Sequence, residues 1–409
     1  MMNANMARNS TSEILIAGGG VAGLALAARL GAAGREVTLV EKAPLSPDKV
    51  CGEGLMPSAL AQLRAWGMEP DAMAGEDFSG LEYRTRRRGV VLPFAEGVRG
   101  RGVRRTELIG ALEAQVNRNP SVTRVTDWIT APIWERGRIV GAHGRRGEYR
   151  AKVVAAADGV NSTLVRAAGV PLRALGYRMA LRRHFRSEDP KPGDQSPRRV
   201  RVGLFSPYDL YITPVGNGTL LATLMTDRMG YRAAVGGMER VLRSSPYGEM
   251  FESVQPVSRQ LGWYHPLFTP RRYCWKGLLL VGDAGGGTDP CLGVGISMAL
   301  ASVRQAERTV LDVLDSPEDR RSLENEFDAG RKNIFNHYSR FDRVFRLMIR
   351  SGSRSELLVG LMAIWPGVSA SVLDIIARDR PWSEFSWKML IEPLALSFWK
   401  RSRDGAGGL

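Results

Sequence analysis

The chain opens on a polar stretch, residues 1–12, and then turns apolar over residues 13–17 (EILIA) before meeting Gly18-Gly19-Gly20. A run of strand formers closed by glycines predicts a buried strand, and the small and apolar residues 21–33 predict a tightly packed helix. Residues 36–40 (EVTLV) predict a second buried strand. Strand, glycine turn, helix and strand within about 30 residues form a βαβ unit, which implies a right-handed crossover and a parallel sheet. No other segment repeats this pattern.

Farther along, residues 57–66 predict a helix, 81–94 two short strands, and 104–116 a helix with Leu108, Ile109, Leu112 and Val116 at helical spacing. Residues 124–153 alternate strand-like pieces with glycine turns, and 153–157, ending in Asp158-Gly159, predict a return to the central sheet. From 177 to 264 the runs become longer and alternating (RRVRVGLF, DLYITPV, TLLATLM), with a hairpin signal at Gly216-Asn217-Gly218. Residues 277–281 (GLLLV) predict another buried parallel strand, followed by a glycine-rich turn and a helix over 294–314. The expected fold is α/β, or α+β overall. A Rossmann-like domain drawn from residues 13–80, 100–175 and 270–315 interleaves with a mainly antiparallel β-sheet domain from 81–99 and 176–269, and a helical region follows over 316–409.

Residues 357–373 carry no charge for 17 residues, at the lower bound of a membrane-spanning length. Gly360, Pro366, Gly367, Ser369 and Ser371 interrupt that run, so a buried or interfacial helical pair is expected instead. Trp382, Trp387, Lys388, Trp399, Lys400 and Arg401 give it an amphipathic finish.

Composition narrows the class. The 409 residues are 44% hydrophobic and 24% charged, with 46 Gly and 22 Pro, which excludes disordered, collagenous and disulfide-scaffold readings. The net charge of +15 favours an acidic partner such as a lipid surface, a phosphorylated cofactor or an acidic carrier protein. Nucleic acid is a poor explanation, because no recognised binding module accompanies the charge. The cysteines Cys51, Cys274 and Cys291 lack a C-x-x-C pair, and the histidines His143, His184, His265 and His337 lack ligand spacing, so no metal is expected. Their odd number and the absence of an apolar leader point to the cytoplasm, with peripheral membrane contact open.

The chemistry begins at Gly18-x-Gly20-x-x-Gly23, between strand and helix, with Glu41 and Lys42 at the end of the next strand. Gly18 permits the tight turn, Gly20 lets the backbone approach a pyrophosphate, and Gly23 lets helix and strand pack closely. The helix N-terminus offers free N–H groups to the anion. Glu41 can accept both hydroxyl protons of an adenosine ribose, favouring FAD or NAD over NADP. Gly282-Asp283 follows the 277–281 strand, where an aspartate can hold ribityl hydroxyls. Pro290-Cys291-Leu292-Gly293-Val294-Gly295 then opens a long helix whose dipole can face the flavin edge.

Residues 14–41, 153–166 (VVAAADGVNSTLVR) and 278–296 (LLLVGDAGGGTDPCLGVGI) resemble the three FAD-binding fingerprints of the aromatic-hydroxylase-fold FAD-dependent oxidoreductases, a superfamily of monooxygenases, flavin-dependent halogenases and geranylgeranyl reductases. The resemblance covers about residues 13–315. It implies that FAD is held by Gly18, Gly20, Gly23, Glu41, Lys42, Asp158, Gly282, Asp283, Pro290, Gly293, Gly295 and Ile296, and that Arg105 reaches the cofactor. The loop Lys49-Val50-Cys51-Gly52-Glu53-Gly54 is similar to that of the geranylgeranyl-reductase-like branch, where it lies beside the isoalloxazine. Hydroxylases usually carry a histidine shortly after the Gly-Asp pair, where this chain has Gly285-Gly286-Gly287. The Trp-x-Trp-x-Ile-Pro motif of many halogenases is absent. Tyr211 and Pro214 match in part the aromatic motif of the reductases.

Cys51, Glu53 and Tyr211 are the candidate catalytic residues. Cys51 either donates a proton during hydride transfer or is a small residue that fits the turn, and Glu53 is either an acid or base or a solvated loop charge. With a single GxGxxG context, NAD(P)H binds transiently as the electron donor or a separate reductase delivers electrons. Arg84, Arg86, Arg87, Arg88, Arg99, Arg101 and Arg104 either meet its phosphates or form a solvated face. The expected activity is that of an FAD-dependent oxidoreductase exchanging hydride at flavin N5 with a hydrophobic or carrier-tethered small molecule. The alternatives are an NAD(P)H-dependent monooxygenase acting through a flavin hydroperoxide on an aromatic or polyketide-like substrate, and a flavin- or lipid-binding protein without turnover.

Overall fold

The computed structural model describes residues 9–43, 48–187 and 198–384; Trp387, Lys388, Trp399, Lys400 and Arg401 of the expected amphipathic finish lie outside them. A parallel core runs in the order Leu278–Leu280, Glu148–Ala156, Asn9–Ala17, Val37–Glu41, Val122–Thr126, with Cys274–Trp275 antiparallel at one edge. Ile14 and Ile16 face one buried layer, with the helices Val21–Ala32, Arg105–Asn117 and Gly295–Asp315. Leu15 and Ala17 face the other, with Ile139, Tyr149, Leu164 and Val165. A strand covered on both sides needs no polar face, which is why EILIA is continuously apolar instead of alternating. The strand starts at Asn9, four residues before the apolar run, because Asn9–Ser12 pair with Glu148–Ala151 through backbone alone.

A second sheet runs Val254–Pro256, Leu172–Ser187, Thr219–Thr226, Tyr208–Pro214, Val200–Phe205, Gly80–Arg84, Gly89–Pro93, and Leu261–Pro270 also pairs along Leu172–Ser187. Every pairing in it is antiparallel except that of Val200–Phe205 with Gly80–Arg84. Its period-two pattern sorts the side chains. Leu181, Phe185, Leu210, Ile212, Ala222 and Leu224 pack beneath the short helices Arg228–Ala234 and Met238–Arg243. Arg178, Ala180, Tyr211, Thr213, Thr223 and Met225 sit on the opposite face, turned toward the parallel sheet. The 16-residue strand Leu172–Ser187 crosses residue 175 unbroken and so ties the two layers together. A small third sheet, Gly54–Leu55, Gly100–Val103 and Gly75–Phe78, has strands too short to read from periodicity.

The C-terminal helices Arg320–Ile349, Gly352–Ile364 and Pro366–Arg378 close the molecule, burying Phe327, Tyr338, Phe345, Val359 and Ile376. Among the described residues no single helix is long and apolar enough to cross a membrane; Gly352–Ile364 and Pro366–Arg378 reach that length only as a pair bent by 102°. Pro366 starts the second helix of the pair and accounts for the break.

Candidate functional site

A cavity of about 630 Å³ lies between the two sheets and extends from the glycine turn to the antiparallel roof. At the turn, Gly18 has φ +109°, and a Cβ there would meet the Ala157 carbonyl oxygen at 2.5 Å. A Cβ at Gly23 would lie 1.8 Å from the Gly18 carbonyl oxygen, so Gly23 sets the helix-to-strand approach and does not itself line the cavity. At Gly20 nothing lies within 4 Å of the added atom, which leaves the backbone open to a ligand. Glu41 accepts the Gly19 N–H at 2.6 Å, and Lys42 lies 5.0 Å over the Trp128 ring; both line this end of the cavity.

Asp158 accepts the Thr163 N–H at 3.0 Å, while its buried Oδ1 has no partner among the described residues and burial raises its pKa. Gly282, with φ +59°, donates to Ser302 Oγ at 2.8 Å and backs onto Ala22, which turns Asp283 toward the cavity. Asp289 caps the turn Pro290–Leu292, Gly293 closes it in the left-handed region, and Gly295 and Ile296 begin the long helix. Arg105 lines the cavity with its buried Nε unpartnered among the described residues. A left-handed glycine turn, an open backbone at Gly20, two helix N-termini and orphaned donors and acceptors facing one elongated space fit FAD.

The loop that carries Cys51 and Glu53 lines this space. Glu53 is 2% exposed, so it is not a solvated loop charge. Its left-handed backbone (φ 54°) turns the carboxylate inward, where it accepts the Arg105 N–H at 3.1 Å and His184 Nε2 at 2.7 Å, with Arg182 Nη1 at 3.8 Å. Arg182 in turn pairs with Asp48. Glu53 is therefore a buried fastener for the loop. The Glu53 N–H donates to Cys51 Sγ at 3.4 Å, and burial pushes the thiol pKa up against the pull of Arg105. Burial, with Arg105 adding to it, lowers the pKa of Lys49.

In the roof, Tyr211 presents a buried hydroxyl with no partner among the described residues, and burial raises its pKa well above the ordinary value. Burial opposes the charge of Arg178, but Asp209 and Asp289 hold its pKa above the usual value. Burial lifts Asp209 to about 6 against the pull of Arg178. Trp263, His265 and Phe268 complete the wall, and burial lowers the pKa of His265. Within Gly285–Gly287, the Gly286 backbone passes against Phe268.

Arg178, Asp209, His265 and Asp289 escape the sequence reading, although Arg178, Arg182 and His184 on one face of the strand Leu172–Ser187 are a usable signal. Arg331 escapes it entirely. It is 2% exposed in the C-terminal helix, lies 4.8 Å over the Tyr273 ring, and leaves Nε and Nη1 unpartnered among the described residues, so that burial lowers its pKa. None of the arginine-rich run Arg84, Arg86, Arg87, Arg88, Arg99, Arg101 and Arg104 lines the cavity: Arg99 and Arg101 pair with Asp77, and Arg84 lies 5.0 Å over Tyr247. Among the described residues no three His, Cys, Asp or Glu side chains are placed to hold a metal ion.

These features define a dinucleotide-binding flavoprotein, and residues 11–185 match the family model described as an FAD binding domain. The chain is an FAD-dependent oxidoreductase, and its fold is that of the aromatic-hydroxylase-fold flavoproteins. It is 27% identical over 331 residues to the menaquinone reductase of Mycolicibacterium smegmatis, covering 73% of this chain and 76% of that one. It is 28% identical over 319 residues to the digeranylgeranylglycerophospholipid reductase of Methanoculleus marisnigri, covering 72% and 75%. The flavin-dependent brominase Bmp2 shares the fold, with a TM-score of 0.79 at 17% identity over 96% of this chain and 100% of that one.

Proposed function

We propose that the protein is a reductase of the geranylgeranyl-reductase-like branch, acting on a hydrophobic small molecule with NAD(P)H as its transient electron donor. When bound, the flavin supplies a hydride donor and acceptor at N5. The chain supplies the rest. Cys51 carries this reading: it lines the cavity, and burial keeps its thiol protonated at neutral pH, so as the substrate double bond breaks it can deliver a proton to the carbon next to the one that receives hydride. Glu53, clamped by His184 and the Arg105 N–H, holds the loop that presents the thiol. Phe78, Leu81, Val200, Met225, Trp263 and Phe268 exclude water and favour an apolar substrate. The names of the menaquinone and digeranylgeranylglycerophospholipid reductases support the same assignment. The charge of +15 supports delivery of the substrate from an acidic carrier or an anionic lipid surface.

The test is anaerobic reduction with NADH and NADPH, followed by mixing with menaquinone as trial substrate and, separately, with ¹⁸O₂. Bleaching of the flavin by a nicotinamide and its reoxidation by substrate without incorporation of ¹⁸O are expected. Substrate-dependent appearance of ¹⁸O in the product overturns the reductase in favour of a monooxygenase. Cys51→Ser slows the half-reaction with substrate by about 100-fold, leaving nicotinamide-driven reduction alone; an unchanged rate removes Cys51 from the chemistry.

A further inference from the structure

Where the roof faces the Asp289 loop, buried polar atoms with unmet hydrogen-bonding capacity meet: Arg178 Nε, Tyr211 Oη and Asp289 Oδ2, with Thr223 Oγ1 beside Tyr211 on the next strand, none partnered by hydrogen bonds among the described residues and all belonging to residues that line the cavity. Arg178 Nε and Asp289 Oδ2 stand 3.9 Å apart, too far for a direct hydrogen bond. Buried polar groups of this kind carry a desolvation cost unless something pairs with them. Arg178 and Asp289 are fixed from behind. Arg178 is tied to Asp209, and Asp289 receives the Cys291 N–H at 3.0 Å while giving its own N–H to Asp342 at 3.0 Å. The Asp289 side chain is only 1% exposed.

We infer that Arg178, Tyr211 and Asp289 form a receptor for one neutral oxygen, a carbonyl or phenolic group, on an otherwise apolar substrate. The inventory of donors and acceptors selects this chemistry. Arg178 Nε–H and the Tyr211 hydroxyl can donate to a carbonyl oxygen, and Asp289 can accept from a hydroxyl. An anionic headgroup is disfavoured, because Asp209 and Asp289 outnumber the single guanidinium they surround. Beside these atoms Trp263, Phe268 and Met225 line the cavity, so the remainder of the ligand is mainly an apolar ring or chain. The assignment rests on the reductase reading only in placing substrate in this half of the cavity.

Equilibrium dialysis of the oxidised, FAD-loaded protein against α-tetralone and against tetralin, the same skeleton without the oxygen, tests it independently of turnover. The ketone is expected to bind about tenfold tighter or more than the hydrocarbon. Tyr211→Phe lowers that ratio several-fold, and Tyr211→Phe with Arg178→Lys, which keeps a cation beside Asp209, brings it near one while tetralin binding and FAD content persist. Equal affinity for the two probes in the wild type, failure to bind either, or a ratio that survives in Tyr211→Phe overturns the receptor. A preserved ketone preference in a protein whose flavin never passes hydride to substrate overturns the reductase reading and leaves the receptor standing.

Discussion

Along the edge of the parallel sheet the cavity is shaped by glycine backbone: Gly18, Gly20, the Gly282 turn and the first turns of two helices. Across from it the antiparallel sheet contributes side chains, Arg178, Tyr211, Thr213, Thr223, Met225 and His265, from alternate positions of four strands. The first surface recognises a group common to many enzymes and is built by leaving atoms out. The second is built by placing atoms, and each of its polar groups needs a partner from another strand or loop, such as Asp209 for Arg178 or Glu53 for His184.

The sharpest way to break this contrast is Gly23→Ala. Its Cβ would collide with the Gly18 carbonyl oxygen at 1.8 Å, so a loss of more than about 4 kcal/mol and a colourless protein are expected in chemical denaturation and absorbance measurements. Gly20→Ala, in open space, changes stability by no more than about 1 kcal/mol and weakens FAD alone. Equal effects at the two positions would show that the turn is not read through its backbone.

On the other surface, Glu53→Ala strips His184 and Arg182 of a buried carboxylate and costs roughly 3–5 kcal/mol in urea titrations, with Glu53→Gln recovering much of it. A loss below about 1 kcal/mol would mean that the loop is held by its glycines instead.

A further effect is pH-dependent. Burial raises Asp342 from 3.8 to about 6 in the fold, against the pull of Arg346. The folded state therefore binds an extra proton between these values, and ionisation above them weakens the fold. Relative to Asp342→Asn, the wild type loses stability as pH rises from about 4 through about 6, by an amount on the order of 2 kcal/mol in thermal or urea melts. A constant difference between the two proteins across that range would show that Asp342 titrates normally.

What could be read from the chain follows the same division. Gly18, Gly20, Gly23, Glu41, Gly282-Asp283 and the Pro290–Gly295 turn are local patterns, and their spacing alone announces a strand, a turn and a helix. The roof was legible as alternating strands, yet the assembly of Arg178 with Asp209 and Asp289 was not, because these residues lie 31 and 111 positions apart and meet only through strand pairing and a loop from the other sheet. For Glu53 the sequence leaves an acid or base and a solvated loop charge both open, because nothing near it shows that His184 and Arg182 arrive from a strand about 130 residues away. Arg331 belongs to a helix that looks like any charged amphipathic segment.

The strand Leu172–Ser187 carries Arg178 in the roof and, four and six residues on, Arg182 and His184, which grip Asp48 and Glu53. Roof and loop thus share a single rail, bonded along one side to Thr219–Thr226 and along the other to Leu261–Pro270. In hydrogen exchange the amides of residues 178–186 and those around Glu53 should open together as one cooperative unit, so access to the cavity widens or narrows across both edges at once.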